Sequence, residues 1–99
     1  MKILQSNSFK KAIKKLHRNQ IPELKKAIEK IANNPLIGDM KRGDLAGVRV
    51  YKFHVHPQLV LLAYLYEEKG ALLNLIDVSS HENFYTAVRG SVREAASSP

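Results

Sequence analysis

The stretch that decides the fold is GVRVYKFHVHPQLVLLAYLY at residues 47–66. It contains two segments rich in β-branched and aromatic residues, separated by a His-Pro-Gln corner at residues 56–58. The second segment, residues 59–66, is continuously apolar, which is typical of a central strand covered on both faces. We therefore predict that residues 47–66 form the central hairpin of a small sheet.

The first segment of this hairpin alternates imperfectly between apolar and polar residues. Side chains at every second position of a strand share a face, which gives two sets: Val48, Val50, Lys52 and His54, and Arg49, Tyr51, Phe53 and Val55. Neither set is purely apolar, so a polar side chain lies where an amphipathic strand would carry an apolar one. Either a β-bulge or a functional site explains this pattern.

Two helices and an edge strand are predicted before the hairpin. Residues 1–4 are apolar enough for an edge strand, and residues 6–8 offer helix-capping side chains. The spacing i, i+3, i+4, i+7 then occurs twice, separated by a break at residues 19–22: Phe9, Ala12, Ile13, Leu16, and Leu24, Ala27, Ile28, Ile31. Each helix has one apolar stripe, so we expect an antiparallel pair packed on a sheet, followed by a loop at residues 36–46.

After the hairpin we predict a turn at residues 67–70, with Gly70 at positive φ, and a strand at residues 71–78. Residues 79–82 read SSHE, a capping box that predicts a helix beginning after Ser79 and including Phe84, Ala87 and Val88. The sequence thus predicts one α+β domain at residues 1–92 and a frayed tail at 93–99. We expect a mostly antiparallel sheet of about four strands with the helical hairpin on one face, a short C-terminal helix, and the opposite face free for function.

The charge is unevenly distributed. The 99 residues carry a net charge of +7, and residues 1–22 contain no acidic side chain but six basic ones: Lys2, Lys10, Lys11, Lys14, Lys15 and Arg18. Such a surface attracts polyanions, although a solvated helix face explains lysines equally well. A chain this short has little room for a deep pocket, so a shallow face and a large ligand are expected.

The composition and the motifs also exclude several classes of protein. Without cysteine the chain forms no disulfide and has no thiolate nucleophile. The longest apolar run is far too short to cross a bilayer and no signal peptide is evident, so we expect a cytoplasmic protein. The sequence has no P-loop, HExxH or Gly-x-Ser-x-Gly motif.

Histidines and basic residues are the candidate functional groups. His54 and His56 point the same way if their strand is regular, and differ if Pro57 has already turned the chain. Without a nearby Cys or carboxylate, this pair is a weak metal site. His81 would lie in the first turn of the C-terminal helix with Tyr85 one turn later, either as a proton-handling pair or as a histidine packed on an aromatic ring.

The motifs GVRVYKF, QLVLLAY and SSHENFY, in this order of elements, resemble the RelE/ParE superfamily of toxins from bacterial type II toxin-antitoxin modules, over residues 1 to about 89. The resemblance implies a curved antiparallel sheet backed by helices and an antitoxin partner that covers the basic surface. It also implies either mRNA cleavage on the ribosome, as in the RelE branch, or poisoning of DNA gyrase, as in the ParE branch. HVHPQ and the late histidine with an aromatic residue four positions on are similar to the YafQ-type nucleases, which place an acidic residue where this chain has Gln58.

We therefore predict a metal-independent and cofactor-independent endoribonuclease that acts on ribosome-bound mRNA and is neutralised by a cognate antitoxin. His54 and His81 act as general base and acid in an order left open, and fixed cations stabilise the phosphate. The predicted catalytic residues are Arg49, His54, His81 and Tyr85, and the predicted RNA-binding residues are Lys10, Lys14, Lys41, Arg42, Lys52 and His56. The alternatives are a gyrase inhibitor and a catalytically inactive antitoxin-binding protein.

Overall fold

The computed structural model describes residues 1–45 and 47–81 of the chain. In them lie two α-helices and five strands: β1 (Lys2–Gln5), α1 (Asn7–Lys15), α2 (Gln20–Asn33), β2 (Asp39–Met40), β3 (Arg49–Val55), β4 (Gln58–Glu67) and β5 (Leu72–Ser80). The strands form one sheet in the order β1-β5-β4-β3-β2, in which only the β1–β5 pair is parallel. The predicted α+β class and the mostly antiparallel sheet are confirmed. The sheet has five strands rather than about four, because two residues of the predicted loop pair with the start of β3.

The two helices begin where side-chain chemistry favours it, one of them earlier than predicted. Ser6 caps α1, since its hydroxyl oxygen accepts a hydrogen bond from the backbone N–H of Phe9 at 3.0 Å. The break between the helices is at residues 16–19, which we call the elbow, and not at residues 19–22. Pro22 lies inside the first turn of α2, where a residue without an N–H is tolerated because that N–H would have no intrahelical acceptor.

Both helices pack on one face of the sheet, as their apolar spacing predicts. The helix-side core is fully or almost fully buried and contains residues of both layers: Phe9, Leu24, Ala27, Ile31, Val55, Val60, Leu62, Tyr64, Leu73, Leu75 and Val78. Each large apolar side chain buried in such a core contributes about 1.5–3 kcal/mol relative to exposure. The two helices therefore cover one face of the sheet.

The middle of that other face is buried, so the expectation of a wholly free face is wrong. A second apolar cluster lies there, made of Leu45, Val48, Val50, Leu61, Ala63 and Ile76. Leu45 belongs to a short 3₁₀ turn, Gly43–Leu45, that precedes β3. Exposed side chains occur on this face toward the end of the sheet where β3 turns into β4.

β4 is the central strand that its apolar sequence predicts. All five residues from Val60 to Tyr64 are buried, and β4 pairs with β3 on one side and β5 on the other. A bulge interrupts the β4–β5 register, since Ala63 pairs with Asp77 and Tyr64 with Leu75. The β3–β4 register has no such shift, so a bulge does not explain the polar side chains of β3.

The structure differs from the prediction in one detail at each end of β5. In the turn before β5, the residue at positive φ is Ala71, with φ of 47°, and not Gly70. At the other end, Ser79 and Ser80 still pair with Leu61 and Val60 of β4, so Ser79 continues the strand and is not the cap of a helix that begins directly after it. Their hydrogen bonding to β4 outweighs the local capping pattern. The predicted helical positions 84, 87 and 88 and the predicted tail at 93–99 lie outside the described residues.

Candidate functional site

The corner between β3 and β4, residues 55–58, is a two-residue turn in which Val55 pairs with Gln58. His56 and Pro57 form the turn itself, are joined by a cis peptide bond, and are exposed. Because β3 is regular up to Val55, His54 keeps the face predicted by alternation, the one away from the helices. His56 lies beyond the strand and does not share this regular position.

His54 on β3, Leu59 on β4 and His81, the residue directly after β5, lie in one row across the end of the sheet, which we call the histidine row. His54 pairs directly with Leu59, and the backbone N–H of His81 donates a hydrogen bond to the Leu59 carbonyl oxygen at 3.0 Å. Directly paired residues of antiparallel strands point to the same face, and this alternation, continued one residue past the end of β5, places the two imidazoles on either side of Leu59 on one face. Both histidines are exposed. Their Cα atoms are about 10 Å apart, which is two strand spacings.

Lys52 adds a cation to the same face. It is exposed, pairs with Leu61, and precedes His54 by two positions, or about 7 Å along the strand. Ser79 of β5 pairs with Leu61 on the side opposite to Lys52 and is half-buried. Lys52, Leu61 and Ser79 thus form a second row next to the histidine row, on the same face. Sequence reasoning missed Ser79 as a site residue because its position in S-x-x-E suggested a helix cap.

Arg49 is not brought together with the histidines. It pairs with Tyr64 on the helix side of the sheet. Its guanidinium donates hydrogen bonds to the carbonyl oxygens of Leu36 at 3.3 Å and Gly38 at 2.9 Å. These contacts hold the segment between α2 and β2 in place, so the Arg49 guanidinium has a structural role.

The Tyr64 hydroxyl holds the same segment from within. It accepts a hydrogen bond from the backbone N–H of Gly38 at 2.9 Å and donates one to the carbonyl oxygen of Pro35 at 2.8 Å. Burial raises the pKa of the Tyr64 phenol, and this outweighs the opposing effects of the Gly38 N–H and the Arg49 charge. The segment that Arg49 and Tyr64 hold is thus tied to the helix side, at a distance from the histidine row.

The remaining predicted residues occupy three other places. Lys41 donates its backbone N–H to the carbonyl oxygen of Val48 at 2.9 Å, so Lys41 and Arg42 lie about 20 Å along β3 from His54. Lys10 and Lys14 are exposed on α1, in the layer on the other side of the sheet. Tyr85 lies outside the described residues.

Residues 1–45 and 47–81 show no group of three or more His, Asp or Glu side chains able to hold a metal ion. In the same part of the chain, neither helix is long and apolar enough to cross a membrane.

Comparison with solved structures identifies the fold as that of RelE-like toxins. The chain is similar to the toxin-antitoxin complex RelBE2 from Mycobacterium tuberculosis, with a TM-score of 0.71 and 16% identity over 81% of this chain and 96% of that one. It is similar to a mutant of the E. coli toxin RelE in the free state, with a TM-score of 0.70 and 19% identity over 96% and 93% of the two chains. The intact E. coli RelBE toxin-antitoxin complex gives a TM-score of 0.63 and 19% identity over 79% and 93%.

The sequence itself identifies the family. Residues 3–89 match the family model described as ParE-like toxin of type II bacterial toxin-antitoxin system. The chain therefore belongs to this family of toxins, and the predicted membership of the RelE/ParE superfamily is confirmed. Comparison with curated proteins gives no match.

Proposed function

We propose that this toxin cleaves ribosome-bound mRNA and thereby stops translation. The observation that carries the proposal is the histidine row, in which two exposed imidazoles from distant parts of the sequence share one face beside Lys52. Imidazole is the side chain best suited to exchange protons near neutral pH. A cation next to two such groups suits metal-independent phosphodiester cleavage, which needs a base, an acid and a positive charge near the phosphate.

The proposed reaction is an in-line attack of the ribose 2′-oxygen on the adjacent phosphorus. One histidine of the row removes the 2′-OH proton, a new P–O bond forms, and the P–O5′ bond breaks. The other histidine gives a proton to the leaving 5′-oxygen, which leaves a 2′,3′-cyclic phosphate and a 5′-hydroxyl end. The scheme is the same with either His54 or His81 as the base and the other as the acid.

Charge stabilisation falls to Lys52 in this proposal. As the transition state forms, negative charge grows on the non-bridging phosphate oxygens, and an ammonium group on the same face stabilises it. The clamp assigned to Arg49 from the sequence is not retained, because that guanidinium is bonded to Leu36 and Gly38 on the helix side. Tyr85 keeps its proposed role of orienting the substrate, and His56, at the exposed corner, that of an RNA contact.

The proposed partners are a cognate antitoxin, the ribosome and mRNA, in the bacterial cytoplasm. Two of the similar structures are named as toxin-antitoxin complexes, which supports an antitoxin for this chain. The net charge of +7 and the exposed lysines of α1 favour an acidic antitoxin segment and ribosomal RNA as binding partners.

The test is message cleavage in a bacterial translation extract. The wild-type protein is expected to generate new 5′-hydroxyl ends within translated messages, whereas His54→Ala and His81→Ala should each reduce the cleavage rate by about 10²- to 10⁴-fold. Lys69→Ala, an exposed change in the turn at the other end of the sheet, is the matched control and should cleave normally. Intact messages with the wild-type protein, or full cleavage by both histidine variants, would contradict the proposal.

Poisoning of DNA gyrase is the second candidate, and the matching family model, which is that of ParE-like toxins, favours it. In that case the histidine row is part of the scaffold and the basic surface binds a protein. Cells expressing the chain should then accumulate broken DNA while their messages stay intact. The same two histidine variants would remain toxic.

A further inference from the structure

Two glutamine side chains connect the helix layer to the corner of the sheet. Gln20, the first residue of α2, is buried, with 5% of its surface exposed. Its side-chain oxygen accepts a hydrogen bond from the backbone N–H of His17 at 2.9 Å. Its side-chain nitrogen donates a hydrogen bond to Oε1 of Gln58 at 2.9 Å, across 38 positions of sequence.

Helix capping explains only one of these two bonds. Asn19, the residue before α2, makes no side-chain cap bond, so Gln20 reaching back to His17 has a clear local purpose at the elbow. The bond to Gln58 has no such local purpose. It joins two segments that are otherwise in different layers, and it satisfies the remaining polar group of a buried amide.

The corner has few other connections of this kind. His56, Pro57 and Gln58 are all exposed, and Val55 is the corner residue that packs in the helix-side core. Among the described residues, the Gln20–Gln58 bond is the side-chain hydrogen bond that joins the corner to the helices. This bond therefore adds to the β3–β4 pairing and to the packing of Val55 in fixing the corner, and with it His54 just before the corner.

The elbow lies at the same end of the sheet as the histidine row, although on the opposite face, because of the direction of α1. The Ser6 hydroxyl donates a hydrogen bond to the carbonyl oxygen of Ile76 at 2.7 Å, which fixes the start of α1 near the middle of β5. The nine residues of α1 span about 13 Å. That equals the roughly 13 Å from Ile76 to the end of β5 at Ser80, so α1 ends at the level of the corner.

We infer that Gln20 and Gln58 form a positioning pair that holds the β3–β4 corner against the elbow on the helix side of the sheet, and that this fixes His54, which lies next to the corner on the opposite face, for its contact with RNA. This inference rests on the proposed function. It also gives a role to the residue at which this chain departs from the YafQ-type pattern. A neutral amide at Gln58 keeps the connection without placing a negative charge beside a surface that binds a polyanion.

The experiment compares Gln20→Leu, Gln58→Leu and the double variant by hydrogen exchange of backbone amides in the full chain. Each Leu variant should speed exchange of the His81 amide, which is bonded to Leu59, by about fivefold or more, the loss expected for one neutral hydrogen bond. The double variant should exchange no faster than either single variant, because all three remove the same bond. The amide of His17 should respond to Gln20→Leu but not to Gln58→Leu.

Two further variants separate positioning from a general loss of stability. Gln58→Glu keeps an oxygen that accepts from Gln20, so it should restore normal exchange at His81 while lowering RNA affinity through its charge. Gln5→Leu, an exposed glutamine in β1, is the matched control and should change neither measurement. Unchanged exchange at His81 in Gln58→Leu, or a double variant whose effect is the product of the two single effects, would overturn the inference.

RNA cleavage is measured on the same variants and reports on the proposed function separately. If the wild-type protein cuts messages, Gln20→Leu and Gln58→Leu should reduce the cleavage rate about tenfold, as expected for misplaced catalytic groups. If the wild-type protein cuts nothing, the proposed nuclease function fails, whereas the exchange results still decide whether the two glutamines position the corner.

Discussion

Arg49 and Lys52 lie three positions apart on β3 but on opposite faces of the sheet. Arg49 pairs with Tyr64 on the helix side, and Lys52 pairs with Leu61 on the side of the histidine row. The two basic residues therefore have different roles. Arg49 holds the segment before β2, and Lys52 is exposed and can bind an anion.

Substituting each of the two residues by alanine should separate these roles. Arg49→Ala leaves the carbonyl groups of Leu36 and Gly38 without their donor and should lower the free energy of unfolding by about 1–2 kcal/mol, with little change in RNA cleavage by the folded protein. Lys52→Ala should change stability by no more than about 0.5 kcal/mol and reduce cleavage by about 10²-fold. Urea titration and cleavage assays measure the two quantities, and a stable Arg49→Ala variant that has lost all cleavage would contradict the assignment.

Tyr64→Phe should destabilise the protein and change its response to alkaline pH. Without the hydroxyl, the buried N–H of Gly38 loses its acceptor, which costs about 1–3 kcal/mol. Burial raises the pKa of the folded Tyr64 phenol, so above about pH 10 the folded state keeps a proton that the unfolded state has lost. The stability from this effect is complete below about pH 10 and is lost as pH rises through the folded pKa.

Urea unfolding at several pH values between about 9 and 12 tests this pH dependence. The wild-type protein should lose more of its free energy of unfolding over this range than Tyr64→Phe does. Equal losses in the two proteins would show that ionisation of Tyr64 is not coupled to unfolding.

Gly38→Ala should be strongly unfavourable for steric reasons. A Cβ atom at this position would lie 2.7 Å from the Tyr64 hydroxyl oxygen and 2.9 Å from its ring, and that ring is buried and held by two hydrogen bonds. We expect a loss of about 1–3 kcal/mol in the free energy of unfolding. Gly70→Ala is the matched control, since its nearest neighbour would be 3.4 Å away at the end of a Glu67 side chain. Equal melting temperatures for the two variants would contradict this account.

The histidine row makes a prediction about additivity. If His54 and His81 act as base and acid in one concerted step, removing both should slow cleavage little more than removing the more important one. The rates of His54→Ala, His81→Ala and the double variant in the translation extract measure this. Multiplicative losses would indicate that the two imidazoles act independently.

The lysines of α1 should contribute to RNA affinity through charge alone. Lys10→Ala with Lys14→Ala should weaken binding of single-stranded RNA and reduce the slope of log affinity against log salt by up to about 1.4, or about 0.7 per lost phosphate contact. Both side chains are exposed, so the melting temperature should not change. An unchanged salt slope would remove Lys10 and Lys14 from the RNA-binding surface.

The sequence was sufficient for the layers of the fold because two periodicities determine them. The 3.6-residue spacing located both helices, and the continuous apolar run located β4 at the centre of the sheet. Alternation along β3 also placed Lys52 and His54 on one face and Arg49 on the other. We grouped Arg49 with the histidines because a guanidinium group binds phosphate. The structure agrees instead with the alternation, which places Arg49 on the opposite face from His54.

The details that the sequence could not give depend on partners distant in the chain. Whether Ser79 caps a helix or continues a strand is decided by Leu61, and the two-residue β2 exists because of its pairing with β3. The connection from Gln20 to Gln58 has no signal in local spacing, since two glutamines 38 positions apart form no motif. These contacts become visible only when the sheet and the helices are placed together.

The parallel pairing of β1 with β5 brings the first residues of the chain next to nearly the last described ones, as the Ser6 to Ile76 hydrogen bond shows. A growing polypeptide at the ribosome therefore cannot complete this sheet until β5 has been synthesised, because β5 lies between β1 and β4. Any activity that needs both of these segments must therefore wait until residues 72–80 have been made.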